Sequence, residues 1–294
     1  MDYKQNIINL LSDKKSKKIT TNLDALNFYV EHEKTEFTSV MYEPSLCVIL
    51  QGKKDVSYND EKYGYDNKSY LISTLSVPAK VQVTDASKDK PYICSVLTFS
   101  LEEIYNVMKE TGIDRSSKDK NLKSCLCLNT LDDDILEPLF RLTKLALKSE
   151  RESFLINLTK KEIIYALLQK NEALLKQYVL EGSIANQVAR VIADIKGNFD
   201  KSINIKKLSK NIGISESSLY QNFKKITTLS PLQFQKKIRL EEAKKMLVST
   251  NKEASDIAFL VGYESPSQFS REYARMFGMP PKAHCSFLRD SINL

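Results

Sequence analysis

One pattern occurs twice near the C-terminus, and it constrains the chain more than any other feature. The first copy runs Leu208, Ile212-Gly213-Ile214, Ser215, Leu219 and Phe223. The second runs Ile257-Ala258, Val261-Gly262-Tyr263, Ser265, Phe269 and Tyr273. The copies are offset by 49 residues before the turn and by 50 after it. Each predicts a short helix, a glycine turn, a serine cap and a second helix. Glycine tolerates the positive φ of such a turn, and the serine oxygen accepts from the free N–H groups of the next helix. This is the make-up of a helix–turn–helix.

Helical spacing then says which residues the second helix of each copy leaves free. Leu219, Phe223 and Ile226 share one face, as packing on the first helix requires. Ser217, Gln221, Lys224 and Lys225 lie opposite, with Tyr220 on the flank. In the second copy Phe269, Tyr273 and Met276 point inward, while Ser267, Arg271 and Arg275 point outward with Ser270 on the flank. Arg pairs bidentately with guanine and Gln with adenine, and short polar side chains near a helix start reach base edges. Candidate base contacts are therefore Ser217, Tyr220, Gln221, Ser267, Ser270 and Arg271. Lys224, Lys225 and Arg275, further along, are candidate phosphate contacts.

Between the copies, Pro231–Ser249 is rich in helix formers, with Pro231 suited to a first turn and Ser230 to a cap. Twenty helical residues span about 30 Å. That is close to the roughly 34 Å between successive major grooves on one face of DNA.

Charge follows the same division. Residues 183–294 carry 18 Lys+Arg against 10 Asp+Glu, a net +8. Residues 1–182 carry 26 against 27, a net −1. A one-sided basic balance points to a polyanion partner for the back part. The bland alternative is a solvated Lys-rich surface.

The front part reads differently. Residues 1–40 look helical at first, with a basic patch at Lys14, Lys15, Lys17 and Lys18. From Met41 short strands follow one another: Leu46–Leu50, Val56 and Tyr58, a turn at Asn59-Asp60, then Tyr63, Tyr65, Tyr70–Ile72, Val77, Val81, Val83 and Tyr92–Phe99. This rhythm predicts a small antiparallel barrel or sandwich. Helical spacing resumes after Ser100, with Thr130 a candidate N-cap ahead of Asp132–Asp134 and a long helix expected from about Ser153 to Leu180. Glu181-Gly182-Ser183 is a candidate hinge.

The segment from about Ile205 to Arg289 resembles the DNA-binding domain of AraC/XylS-type transcription regulators. The carrying stretches are Leu208-Ser209, Gly213-Ile214-Ser215, Leu219, Phe223-Lys224, Ser230-Pro231, Arg239-Leu240, Ala243, Leu247, Ile257-Ala258, Val261-Gly262-Tyr263, Ser267, Phe269-Ser270-Arg271, Phe277-Gly278 and Pro280-Pro281. Ser209 stands where the family usually has Ala, Thr228 where it has Gly, Ala274 where it often has Lys, and His284-Cys285 where it has Tyr-Arg. Loss of the Lys and the Arg is expected to weaken phosphate grip at the second copy. Residues about 42–108 look like the N-terminal domain of a subset of these regulators, through Glu43–Lys54, Tyr63-Gly64-Tyr65, Tyr70-Leu71 and Pro91-Tyr92.

The resemblance implies an α+β chain. An N-terminal cupin-like antiparallel β-barrel with appended helices would occupy 1–182, for effector sensing or dimerisation. An all-α DNA-binding domain with two helix–turn–helix units would occupy 183–294. It implies promoter DNA and RNA polymerase as partners, with a small-molecule effector and a homodimer as further candidates. Burial against the chain's own sheet competes with dimerisation as the use of the helices at 131–180. Tyr58, Tyr63, Tyr65, Tyr70 and Tyr92 are candidates for an effector pocket, since aromatic walls with polar tips suit a small organic ligand. The competing reading is that they are ordinary strand residues.

Other classes fall away. His32 and His284 are the chain's two histidines, so a multi-His metal centre or a metal-dependent cupin enzyme is not expected, and no cofactor is expected. No phosphate-loop motif, carboxylate pair or Ser/His pairing suggests an enzyme. Five sparse cysteines fit a reducing cytoplasm. Cys47 and Cys94 sit in apolar runs and read as small core residues, while Cys125-x-Cys127 is a candidate redox or electrophile sensor. No apolar run approaches a membrane span, and no secretory leader is visible. The rival to a DNA-reading regulator is a basic helical interaction protein that does not read DNA sequence.

Overall fold

The computed structural model describes residues 1–14, 16–113, 124–148, 153–180 and 182–292. Lys15 of the basic patch and Glu181 of the candidate hinge lie outside the described residues. The chain divides into two units, Met1–Asn186 and Gln187–Leu294.

In the first unit, α1 (Tyr3–Leu10) precedes β1 (Lys18–Thr20), β2 (Leu26–Glu31) and β3 (Thr38–Tyr42). The helical expectation for residues 1–40 therefore holds only for the first turns. Leu26, Phe28 and Val30 are buried at every second position, and that period belongs to a strand. Then come β4 (Ser45–Gln51), β5 (Lys53–Tyr58), β6 (Glu61–Asp66), β7 (Ser69–Ser73), β8 (Val77–Asp85) and β9 (Tyr92–Thr98). Asn59 and Asp60 close the β5–β6 hairpin with φ of +52° and +63°, as a two-residue turn of the mirror-image type requires.

Helix α2 (Leu101–Thr111) starts at a capping box between Ser100 and Glu103. After β10 (Leu126–Thr130), α3 (Asp133–Leu147) begins, with Asp132 rather than Thr130 at its cap position. Thr130 is instead paired with Ser69 at the end of a ladder, so its backbone is committed to the sheet. Helix α4 (Ser153–Val179) bends at Asn171, whose backbone leaves helical geometry. There the Asn171 side chain donates to Leu167 O and Tyr70 Oη and accepts from Asn129.

The strands form two antiparallel sheets, ordered β1-β2-β9-β4-β7-β10 and β3-β8-β5-β6. The sheets do not close into a barrel, which corrects that part of the expectation. Closure needs an unbroken ladder round the ring. Here the edges are poor pairing partners: β1 has 3 residues, and β3 begins with two exposed ones. The central strand β4 is buried along nearly its whole length, and its run Leu46–Leu50 is the middle of the core.

The second unit is helical. Helix α5 (Ile184–Gly197) begins at the end of the first unit and continues into it. Then follow α6 (Ile205–Asn211), α7 (Glu216–Thr227), α8 (Pro231–Ser249), α9 (Ala254–Leu260), α10 (Pro266–Phe277) and α11 (Pro281–Ile292). Helix α8 opens with Pro231 in its first turn and a capping box between Ser230 and Gln233.

Candidate nucleic-acid interface

Two helix pairs, α6–α7 and α9–α10, carry the repeated pattern. Gly213 and Gly262 turn the chain at φ of +73° and +90°. Ser215 Oγ accepts from the Ser218 N–H at 3.1 Å, and Ser265 Oγ from the Gln268 N–H at 3.3 Å. The second helix of each pair is thus started by its own local chemistry.

Packing then selects the faces. On α7, Leu219, Phe223 and Ile226 are buried, and the Phe223 ring meets Phe234 of α8 edge-on at 5.4 Å. Ser217, Tyr220, Gln221, Lys224 and Lys225 are all exposed. On α10, Phe269 and Tyr273 are buried and Met276 packs partly against the same core. Ser267, Arg271 and Arg275 are exposed, and Ser270 is half-buried at the flank. Among the described residues, Lys224, Lys225, Arg271 and Arg275 have no acidic partner. Lys224, Lys225 and Arg275 also sit in the last turns of their helices, where the macrodipole favours a cation.

Other cations of this unit are engaged internally. Lys236 pairs with Glu272 at 2.8 Å, and the same carboxylate accepts from the Tyr263 hydroxyl at 2.8 Å. Burial would raise the Glu272 carboxyl, but these bonds and that from Gln268 outweigh it and hold the group below its usual value. Arg239 donates to Phe199 O at 2.6 Å, Gly262 O at 2.8 Å, Lys201 O at 3.0 Å and Asp200 O at 3.3 Å. It therefore ties the second turn to the loop after α5. Nothing in the local sequence shows this, because its carbonyl partners lie 23 to 40 residues away. His284 is also turned inward, its Nδ1 3.1 Å from Tyr273 Oη.

The profile of the AraC-type transcriptional regulator N-terminus matches residues 22–174, just over half of the chain, and a helix-turn-helix domain profile matches 208–284. The chain belongs to the AraC-type transcriptional regulators. It is a DNA-binding regulator of transcription. The regulator is 27% identical over 241 residues to the lactose operon transcription activator of Staphylococcus xylosus, covering 81% of this chain and 82% of that protein. It is 32% identical over 103 residues to the raffinose operon regulatory protein RafR of Pediococcus pentosaceus, covering 35% of this chain and 36% of that one. Its fold resembles apo ToxT of Vibrio cholerae, with TM-score 0.64, 11% identity and coverage of 91% and 99%. It also resembles unsaturated fatty acid bound ToxT, with TM-score 0.60, 11% identity and coverage of 88% and 94%.

In the regulator's first unit the five candidate pocket tyrosines fall into three groups. Tyr65 and Tyr92 are buried beside Tyr42, Cys47, Lys54 and Cys94. Tyr58 is buried and hydrogen-bonds the Cys125 thiol, with Tyr63 nearby at the surface, bonded to Glu61 and 3.2 Å from Ser124 Oγ. Tyr70 is buried against Asn171. Of the candidate sensor pair, Cys125 is buried and its thiol is pushed up to about 12, chiefly by that burial. The half-buried Cys127 meets Asn129 Nδ2 at 3.5 Å. The Cys47 surroundings carry no mark in the sequence, because Cys47 and Lys54 lie on successive strands and meet only through the fold. Among the described residues no group of three or more His, Cys, Asp or Glu could hold a metal ion, and no helix is long and apolar enough to cross a membrane.

Proposed function

We propose that the regulator reads promoter DNA with α7 and α10 placed in successive major grooves. Ser217, Tyr220, Gln221, Ser267, Ser270 and Arg271 reach base edges, and Lys224, Lys225 and Arg275 hold phosphates. The observation that carries this reading is one face on each helix. Both bury their aromatic side and leave polar side chains and cations without acidic partners on the other. The 19 residues of α8 give a helix of about 28 Å, a length suited to the spacing of two grooves.

The first unit, in this reading, responds to a small-molecule effector, and the domains divide at 182/183 with Glu181-Gly182-Ser183 as the hinge. The fatty acid bound to the ToxT fold supports a small organic ligand. Effector binding must favour one arrangement of the domains over another, because equal affinity for both shifts nothing. The protein works in the cytoplasm by binding rather than catalysis, with RNA polymerase as a partner and a second copy of the chain as another.

Selection of bound genomic fragments, with and without cell extract, tests the whole reading. Two half-motifs about one helical turn of DNA apart are expected, with recovery changed by extract. Binding that depends strongly on salt but not on sequence would replace it with the basic interaction protein.

A further inference from the structure

A cation in the first unit is answered by sulfur rather than by a carboxylate. Lys54 on β5 holds its ammonium 3.9 Å from Cys47 Sγ on β4 and 5.5 Å from the centre of the Tyr42 ring. The groups that act on it are Cys47, Tyr42, Tyr65 and Tyr92. Among the described residues no Asp or Glu pairs with it. Lys54 is half-buried, and an ammonium partly withdrawn from water is stabilised by an anion facing it, a role a Cys47 thiolate would fill.

The sulfur is also surrounded by donors. Tyr65 Oη donates to it at 3.2 Å. On β9, Cys94 stands opposite Ile49 while Val96 stands opposite Cys47, so the two cysteines are diagonal neighbours on one face of the sheet. The neighbouring Cys94 thiol, then the Lys54 charge and the Tyr65 hydroxyl, outweigh burial and hold the Cys47 thiol below its ordinary value. Cys94 is pushed the other way, by Cys47 and by burial. Tyr42 and Tyr92 lie against this group, next to Lys54 and Cys94, yet their buried hydroxyls make no well-aligned hydrogen bond. They are donors available to an added oxygen.

We propose that Cys47 is a modification site for small neutral hydroperoxides, with Cys94 as the resolving thiol and Lys54 and Tyr65 as positioning residues. The Cys47 thiolate attacks one peroxide oxygen, the S–O bond forms and the O–O bond breaks. The sulfur loses two electrons to the peroxide and becomes a sulfenic acid. The departing hydroxide or alkoxide takes a proton from solvent and leaves as water or alcohol. The Cys94 sulfur then attacks Cys47, the S–S bond forms, the S–O bond breaks, and water leaves with the Cys94 proton. Cys47 is 1% exposed, so an oxidant reaches it only through local opening of the first unit, which favours small neutral reagents over bulky or charged ones. A bond between diagonal positions strains the β4–β9 ladder along the strands, because a disulfide needs closer Cβ atoms than that pairing provides. This chemistry stands independently of which DNA or ligand the regulator binds.

The test exposes the full chain to hydrogen peroxide at pH 7, traps sulfenic acid with dimedone and maps cysteines by mass spectrometry. Cys47 is expected to react first, ending as a Cys47–Cys94 disulfide, and Cys94→Ser should leave it as the dimedone adduct. Lys54→Met should slow Cys47 about tenfold with Cys127 unchanged, and Lys54→Arg should restore it. Reaction of Cys127 or Cys285 ahead of Cys47, or an unchanged Cys47 rate in a folded Lys54→Met, overturns the proposal. The pH profile of the unaltered protein needs no variant. A Cys47 rate already on its plateau at pH 7 supports the proposal, and one that rises only above about pH 8.5, as for an ordinary thiol, refutes it.

Discussion

The two helix–turn–helix units share a pattern but are held differently. Around α6–α7 the core is aliphatic, with Leu208, Leu219, Ile226 and Ile238 round a single edge-on pair, Phe223 and Phe234. Around α9–α10 it is a chain of rings: Tyr263, Phe269, Tyr273 and Phe277, with centroids 4.5 to 5.5 Å apart, closed by His284. The turns differ too. A methyl group on Gly213 would meet open space, whereas one on Gly262 would lie 2.1 Å from Asp200 O and 2.7 Å from Arg239 Nη2. One glycine is needed for its φ alone, the other also because backbone and an arginine cross it. The second unit is therefore the more rigidly tied, and the first the more tolerant of change.

The sharpest way to break this comparison is to add the methyl groups. Gly262→Ala should cost about 3 kcal/mol or more, from strain plus the overlap with Asp200. Gly213→Ala should cost only about 1 kcal/mol. Urea unfolding of both variants gives the answer, and equal losses would mean the turns are held alike.

DNA contact is next in size. Arg271→Ala should lose about 1–3 kcal/mol of binding and relax preference at one base pair, while Lys224→Ala should weaken all sites and reduce the salt slope by about one. Competition binding over a range of salt separates the two. A uniform loss for Arg271→Ala would move it to the phosphate class.

The helix ends offer a smaller effect. Both α7 and α10 end on a residue in the left-handed region, Thr228 at φ +64° and Gly278 at +78°. A β-branched residue is strained there, so Thr228→Gly should stabilise the protein by about 1 kcal/mol and Gly278→Thr should destabilise it by a similar amount. Thermal melts would show the opposite signs.

The smallest effect concerns pH. Burial, then the nearby Lys244 charge, lowers the His284 pKa from 6.5. The folded protein thus favours the neutral ring, and the unfolded chain binds the extra proton first. Stability from this group is complete above pH 6.5 and falls as pH drops through the folded value. The α6–α7 unit has no histidine to respond in the same way. Replacing His284 with Asn should flatten the melting temperature between pH 7.5 and 5.5, and an unaltered slope would exclude His284 as the cause.

Much of the candidate interface was legible, in which helices form and which faces they expose, because those determinants are local. Ser215, Ser230 and Ser265 cap helices three residues ahead, and helical spacing alone divides Leu219 and Phe223 from Gln221 and Lys224. Strand content from Met41 onward was equally readable from alternation and the Asn59-Asp60 turn. Residues 18–42 were not, since short strands without turn signals lack a local mark.

By itself, then, the sequence determined the repeat, the caps, the exposed faces and the division of charge, all of which act over a few residues. Tertiary structure alone decided that the sheets stay open, that Gly262 is crossed by Arg239, and that Lys54 meets Cys47 and Cys94. Those outcomes depend on strand register and on groups brought together from distant parts of the chain. No spacing along one segment encodes them.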